Sequence, residues 1–240
     1  MSENAQIKAV LFDLDGTLLP MDNDAFTNGY FKLLVKKLVP LGFAPKELID
    51  GVWTGTAAMV KNDGSQSNCD AFWKAFAGAV GERVHAARPV FEEFYGVDFD
   101  AAKMFCGYNE KAAETVQYAK TIGLRTVLAS NPIFPMFAQL VRLRWTGIAP
   151  ENFELITAYE DYSYSKPNPD YFRAVAAQIG LSPAECLMIG NDADEDGAAA
   201  KTGMQVFLLT DHLINKSGRD LSEFPHGDFD ALHAYLSGLQ

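Results

Sequence analysis

The stretch Val10-Leu11-Phe12-Asp13-Leu14-Asp15-Gly16-Thr17-Leu18-Leu19 constrains this chain more than any other. The run from Ala9 to Phe12 carries no charge, is short and leads into a glycine turn. That pattern predicts a strand buried on both faces. Asp13 and Asp15 come next, two residues apart, so in extended backbone both carboxylates face one small volume. Gly16 permits a sharp turn or a close approach, and Thr17 adds a hydroxyl there. Taken alone, Asp-x-Asp-Gly is a common acidic turn. Later polar clusters, each placed after an apolar run, decide its meaning.

The 240 residues suffice for one α/β domain with an insertion, or for two small domains. A core is available, since 48% of residues are hydrophobic, and 21% charged argues against disorder. Net charge is −11, and no Lys/Arg-rich block interrupts the acidic balance, so nucleic acid is not an expected partner. An acidic protein that handles anions needs local positive charge, which a metal ion can supply. Cys69, Cys106 and Cys186 are far apart and odd in number, with no zinc spacing or disulfide framework. Reduced thiols, a polar start from Met1 to Lys8 and no long apolar run together give the expectation of a cytoplasmic protein without a membrane span.

From Phe26 onward apolar residues recur at helical spacing, through Tyr30, Phe31, Leu34 and Leu38. Further helical stretches start at Pro45 and near Phe72, and Val90 to Tyr95 gives one more. Residues 20–105 contain no convincing strand. Strands and helices alternate afterwards, with apolar runs at Thr126–Ala129, Leu155–Thr157, Leu187–Ile189 and Val206–Leu209. The expectation is an α/β fold: a Rossmann-like parallel sheet core from residues 1–19 and 106–240, with an inserted α-helical cap of 20–105. Residues 211–227 read as a surface loop and Phe229 to Leu236 as a last helix.

Polar clusters sit where these strands end: Asp13 and Asp15, Ser130 and Asn131, then Asn191, Asp192 and Asp196, with Lys166 in a loop after another strand. Open α/β sheets bind ligands at that edge. An ionised Asp13 can attack phosphorus as a nucleophile. Asp15 is placed to protonate a leaving alkoxide and then to activate water. A hard cation, magnesium, fits Asp13, Asp192 and Asp196, with Asp15 a further candidate ligand. That ion and Lys166 would hold a phosphoryl group, with Thr17, Ser130 and Asn131 binding its remaining oxygens.

At these residues the chain resembles the haloacid dehalogenase superfamily. Asp13-Leu14-Asp15-Gly16-Thr17 is similar to its first motif, Ser130-Asn131 to the second, Lys166-Pro167 to the third, and Gly190-Asn191-Asp192 with Asp196 to the fourth. The resemblance implies a Rossmann-like core, a helical cap inserted after the first motif, Asp13 as nucleophile, Asp15 as acid/base and a magnesium cofactor. The dehalogenase branch lacks an acid at the position of Asp15, so the resemblance favours phosphate chemistry. The fourth motif departs from the usual Gly-Asp by placing Asn191 after Gly190. Counting from the acids puts Asp192 at the metal, with Asp194 and Glu195 solvated and Asp196 on the metal or on Lys166. The expected function is a magnesium-dependent phosphatase acting on a small phosphorylated metabolite. The alternatives are a phosphomutase with the same site and a binding protein that kept only the fold.

Overall fold

The computed structural model describes residues 5–239. Strand β1 is Ala9–Phe12, and all four of its side chains are buried. Helices α1 (Asn23–Leu38), α2 (Pro45–Val60), α3 (Asn68–Val80) and α4 (Arg88–Gly96) come next, with 3-10 segments at Glu82–Ala87 and Asp98–Phe105. Helix α5 (Glu110–Thr121) leads to β2 (Arg125–Leu128), α6 (Met136–Trp145), β3 (Leu155–Ile156), α7 (Pro169–Gln178), β4 (Cys186–Gly190), β5 (Gln205–Leu209), β6 (His226–Gly227) and α8 (Phe229–Ser237). Local chemistry sets the helix starts: Asp22, Ser67, Asn109, Asn168 and Asp228 each accept a first-turn amide, and Pro45 occupies the first turn of α2.

The sheet order is β3-β2-β1-β4-β5-β6, with every pairing parallel. The order reverses at β1, and the crevice beyond the carboxyl ends there is where such sheets take ligands. Alternation along the strands builds two cores. Val10, Phe12, Leu128 and Ile189 pack on one face, and Ala9, Leu11, Val127 and Met188 on the other.

Residues 20–105 are helical, and the chain enters and leaves this block side by side. Met21 bridges Cys106 in antiparallel fashion, and Gly107 N–H donates to Pro20 O at 2.7 Å. The block shares its core with the sheet. The apolar cluster under Phe12 runs through α6 to Phe26, Tyr30, Phe94 and Phe99. Two details differ from expectation. The loop of 211–227 closes with a two-residue edge strand, β6, too short to leave a periodic signal. The run Ala198–Thr202 reads in sequence as a helix closed by Gly203, and in the structure it is a 3-10 segment, Asp196–Thr202, wound tightly from the acidic turn.

Candidate active site

The β1 ladder carries on one residue past the strand. Asp13 N–H donates to Ile189 O at 2.9 Å, which fixes Asp13 at the sheet edge. The chain then turns: Thr17 N–H donates to Leu14 O at 3.2 Å, and Gly16 takes φ +80°. A Cβ at Gly16 would lie 2.3 Å from Asn191 Nδ2, so this position needs glycine both for its backbone and for its neighbour. The turn returns the Thr17 hydroxyl to within 3.1 Å of Asp13 Oδ2 and of Asn191 Oδ1.

Lys166 is buried. Its Nζ donates to Asp13 Oδ1 at 2.8 Å and to Asp196 Oδ1 at 2.6 Å. The other Asp196 oxygen, Oδ2, accepts the backbone amides of Asn191 and Asp192, each at 3.0 Å. Gly190 makes room for this carboxylate, since a Cβ there would come within 2.0 Å of Oδ2. Asn131 Oδ1 accepts Lys166 N–H at 3.2 Å, which ties the loop after β2 to the lysine. Tyr171 Oη and Thr157 Oγ1 both donate to Ser130 O and hold that loop from below. The structure therefore brings Asp13, Thr17, Ser130, Asn131, Lys166 and Asp196 together at one edge.

The electrostatics reflect crowding. Burial pushes the Asp13 carboxyl up to about 7, with Asp196 and Asp15 adding to the rise and Lys166 opposing it. Burial also works against the Lys166 ammonium, but Asp13 and Asp196 outweigh it and hold the lysine above its ordinary range. Glu195 is pushed up to about 7 by burial, with Asp196, Asp192 and Asp13 adding to the rise against Lys166. Contrary to expectation Glu195 is not solvated: its Oε2 accepts Asn131 Nδ2 at 3.0 Å, and it lines the cavity. The run Asp192-Ala193-Asp194-Glu195-Asp196 holds four acids, and only the turn geometry tells which point inward. Asp194 does face outward, accepting Ser217 N–H at 3.1 Å.

The expected metal ligands divide. Asp196 has both oxygens engaged, by the Lys166 ammonium and by amides. Asp15 Oδ2 is taken by the guanidinium of Arg142. Asp192 Oδ1 caps the following turn, accepting Asp194 and Glu195 amides at 2.8 and 2.9 Å. Asn191 anchors the turn, its Nδ2 donating to His212 O at 2.7 Å. Among the described residues no three His, Cys, Asp or Glu side chains stand together as a ready metal site. The donor chemistry nonetheless fits a hard cation. Asp13, Asp192 and Glu195 are partly or wholly buried carboxylates on one cavity wall, each raised first by burial and further by neighbouring acids.

Arg142 is the functional residue that sequence reasoning missed. It lies inside α6, fully buried, and its guanidinium carbon sits 4.3 Å from the centre of the Phe134 ring. One end binds Asp15 and the other Gln139 Oε1. A buried arginine without such partners would be costly, and here it carries a charge-assisted pair into the site. Among the described residues Asp15 Oδ1 is buried with no partner. Above these residues a cavity of about 460 Å³ opens between the sheet edge and the helical block.

A family model described as haloacid dehalogenase-like hydrolase matches residues 7–203. A phosphoglycolate phosphatase of Pectobacterium atrosepticum is 27% identical over 211 residues, covering 88% of this chain and 83% of that protein. The putative phosphatase YhcW of Bacillus subtilis is 32% identical over 91 residues, 38% of this chain and 40% of that one. A solved structure from Haemophilus somnus, described as a predicted phosphoglycolate phosphatase, aligns with TM-score 0.60 at 18% identity, covering 99% of this chain and 100% of its own. That last likeness speaks to the fold.

Proposed function

The chain belongs to the haloacid dehalogenase-like hydrolase family and is a phosphoric monoester hydrolase, and from that membership we propose that it dephosphorylates a small metabolite through a phosphoryl group carried on Asp13. The observation that carries this reading is the contact of Asp13, at the end of β1 and on the cavity wall, with a buried lysine.

In the proposed reaction an Asp13 oxygen forms a bond to phosphorus as the ester's P–O bond breaks. Lys166 and Thr17 keep the Asp13 carboxylate oriented, and Ser130 lies beside the transferred group. Asp15 gives a proton to the leaving alkoxide. It then takes one from the water that cleaves the aspartyl phosphate and releases inorganic phosphate. Asp13, Asp192 and Glu195 would hold magnesium, while Asp15 and Asp196 stay with Arg142 and Lys166. When bound, that ion supplies positive charge against the phosphoryl oxygens. Residues 20–105 act in this reading as a cap that keeps bulk water off the reacting phosphorus.

The test is release of inorganic phosphate from a panel of phosphorylated metabolites with magnesium. Wild-type protein should release it without any sugar bisphosphate, which separates hydrolysis from phosphomutase action. Beryllofluoride should inhibit. Asp13→Asn should abolish turnover, and near-wild-type turnover in that variant, without deamidation, would remove Asp13 from the role.

A further inference from the structure

The cavity over Asp13 differs in character between its sheet side and its helical side. Its wall on the helical side is aromatic: Phe31 from α1, Trp53 from α2, Phe72 and Trp73 from α3, and Tyr95 from α4 all line it, with Phe134 below. Asn23, Asp24, Thr27 and Thr56 add polar groups at its edge, while two pairs of polar atoms among the rings are spent on one another. Tyr30 and Tyr95 hydroxyls pair at 2.8 Å, and Trp73 Nε1 donates to Tyr159 Oη at 3.4 Å.

Charge is the second observation. Asp13, Asp15, Asp24, Asp192, Glu195 and Asp196 line the cavity. Among the described lining residues the only Lys or Arg is Lys216, exposed on the loop after β5. The buried cations beneath are engaged already, Lys166 by Asp13 and Asp196 and Arg142 by Asp15. A substrate carboxylate on the helical side would lose water and meet no cation, an uncompensated cost. An aromatic ring would instead meet a surface of its own kind, in which Phe31 and Trp53 lie 5.5 Å apart and Phe72 and Trp73 5.6 Å, and against which a further ring can pack. Size agrees. About 460 Å³ lies within the roughly 300–1,000 Å³ of pockets that enclose larger organic ligands.

We propose, resting on the phosphatase reading above, that this cavity selects phosphate monoesters whose alcohol part is neutral and aromatic and discriminates against those bearing a carboxylate. Trp53, Phe72 and Tyr95 are the specificity-determining residues.

The experiment compares benzyl phosphate, ethyl phosphate and phosphoglycolate as substrates, all with aliphatic leaving oxygens. It then compares binding of benzylphosphonate, 2-aminoethylphosphonate and phosphonoacetate, which cannot be hydrolysed, to the magnesium-loaded protein. Benzyl phosphate should exceed phosphoglycolate in kcat/KM by about tenfold or more, a difference of one factor of ten in affinity for the transition state. Benzylphosphonate should bind tightest of the three phosphonates. Trp53→Ala and Phe72→Ala should raise KM for benzyl phosphate more than for ethyl phosphate, narrowing their ratio. Preference for phosphoglycolate or phosphonoacetate overturns the proposal and leaves the phosphatase reading standing, and tightest binding of the aminoethyl compound overturns it in favour of a cationic alcohol. If no ester releases phosphate the phosphatase reading fails, and the phosphonate ranking still decides which ligand the cavity prefers.

Discussion

Arg142 gives Asp15 its place. A guanidinium is a rigid, always-charged fork, and here it spans Asp15 and Gln139 while stacked on Phe134. Arg142→Lys keeps the charge and loses the fork. General acid–base help is typically worth about 10²–10⁴-fold, so mispositioning Asp15 should cost part of that range. The loss should be larger for alkyl phosphates, whose alkoxides need a proton, than for 4-nitrophenyl phosphate. Equal losses on both substrates would reduce Arg142 to a packing residue. Asp13 and Glu195 make a second prediction at this scale. Their folded-state values, about 7, lie above the ordinary 3.8 and 4.5. The folded protein therefore holds these protons more tightly than the unfolded chain does. Their contribution to stability is fully present below about pH 4 and is lost as pH rises through about 7. Metal-free protein should melt at progressively lower temperature across that window. Asp13→Asn should flatten the slope, and magnesium, which binds the ionised form, should flatten it too. An unchanged slope in Asp13→Asn would remove Asp13 as its source.

One side chain, Asn68 at the start of α3, ties the helical block to the loops that carry the site. It is fully buried. Its Nδ2 lies 3.1 Å from Pro132 O, 3.2 Å from Tyr164 O and 3.1 Å from Ser165 Oγ, while its Oδ1 accepts Asn62 Nδ2 at 2.9 Å. One residue of the helical block thus touches both loops that carry Asn131 and Lys166. Leaving buried polar groups unpaired costs about 1–3 kcal/mol each, so Asn68→Ala should lower the urea unfolding free energy by roughly 2–3 kcal/mol. Amide exchange should speed up around 132 and 164–166 before it does in β1, and uniform acceleration would show a global effect alone. Elements of this kind are legible in the sequence where their physics is local. The strands β1, β2, β4 and β5 are apolar runs because their side chains are mostly buried on both faces, and Asp13, Ser130 and Asn131 stand out because they come directly after β1 and β2, whereas Lys166 stands out by its proline-flanked loop after β3. Arg142 is illegible there because it sits 127 residues from Asp15, in an ordinary-looking helix, and only the fold joins them. The inward turn of Glu195 is equally hidden, since four acids crowd one turn and nothing local separates them.

At the scale of the whole molecule the question is how the cavity opens. A helical block on two adjacent linkers invites the picture of a lid that swings as one body, with the Pro20–Met21 and Cys106–Gly107 crossings as its hinge. The packing argues for something smaller. Phe99 lies 5.3 Å from Trp145, Tyr30 5.9 Å from Phe134 and Tyr95 6.5 Å from Phe134, and Trp145 Nε1 donates to Asp100 Oδ1 at 2.8 Å. Swinging the whole block would expose this aromatic seam. Burying one large apolar side chain is worth about 1.5–3 kcal/mol, so parting several at once would cost a sizeable share of a total stability of about 5–15 kcal/mol. Motion then concentrates where the cavity wall is least covered, around Trp53 and Val60 of α2, which are exposed. Adding magnesium and beryllofluoride should leave the radius of gyration from small-angle scattering unchanged, and it should slow amide exchange in α2 more than in α4. Contraction of the whole molecule, with equal protection of α2 and α4, would restore the swinging lid.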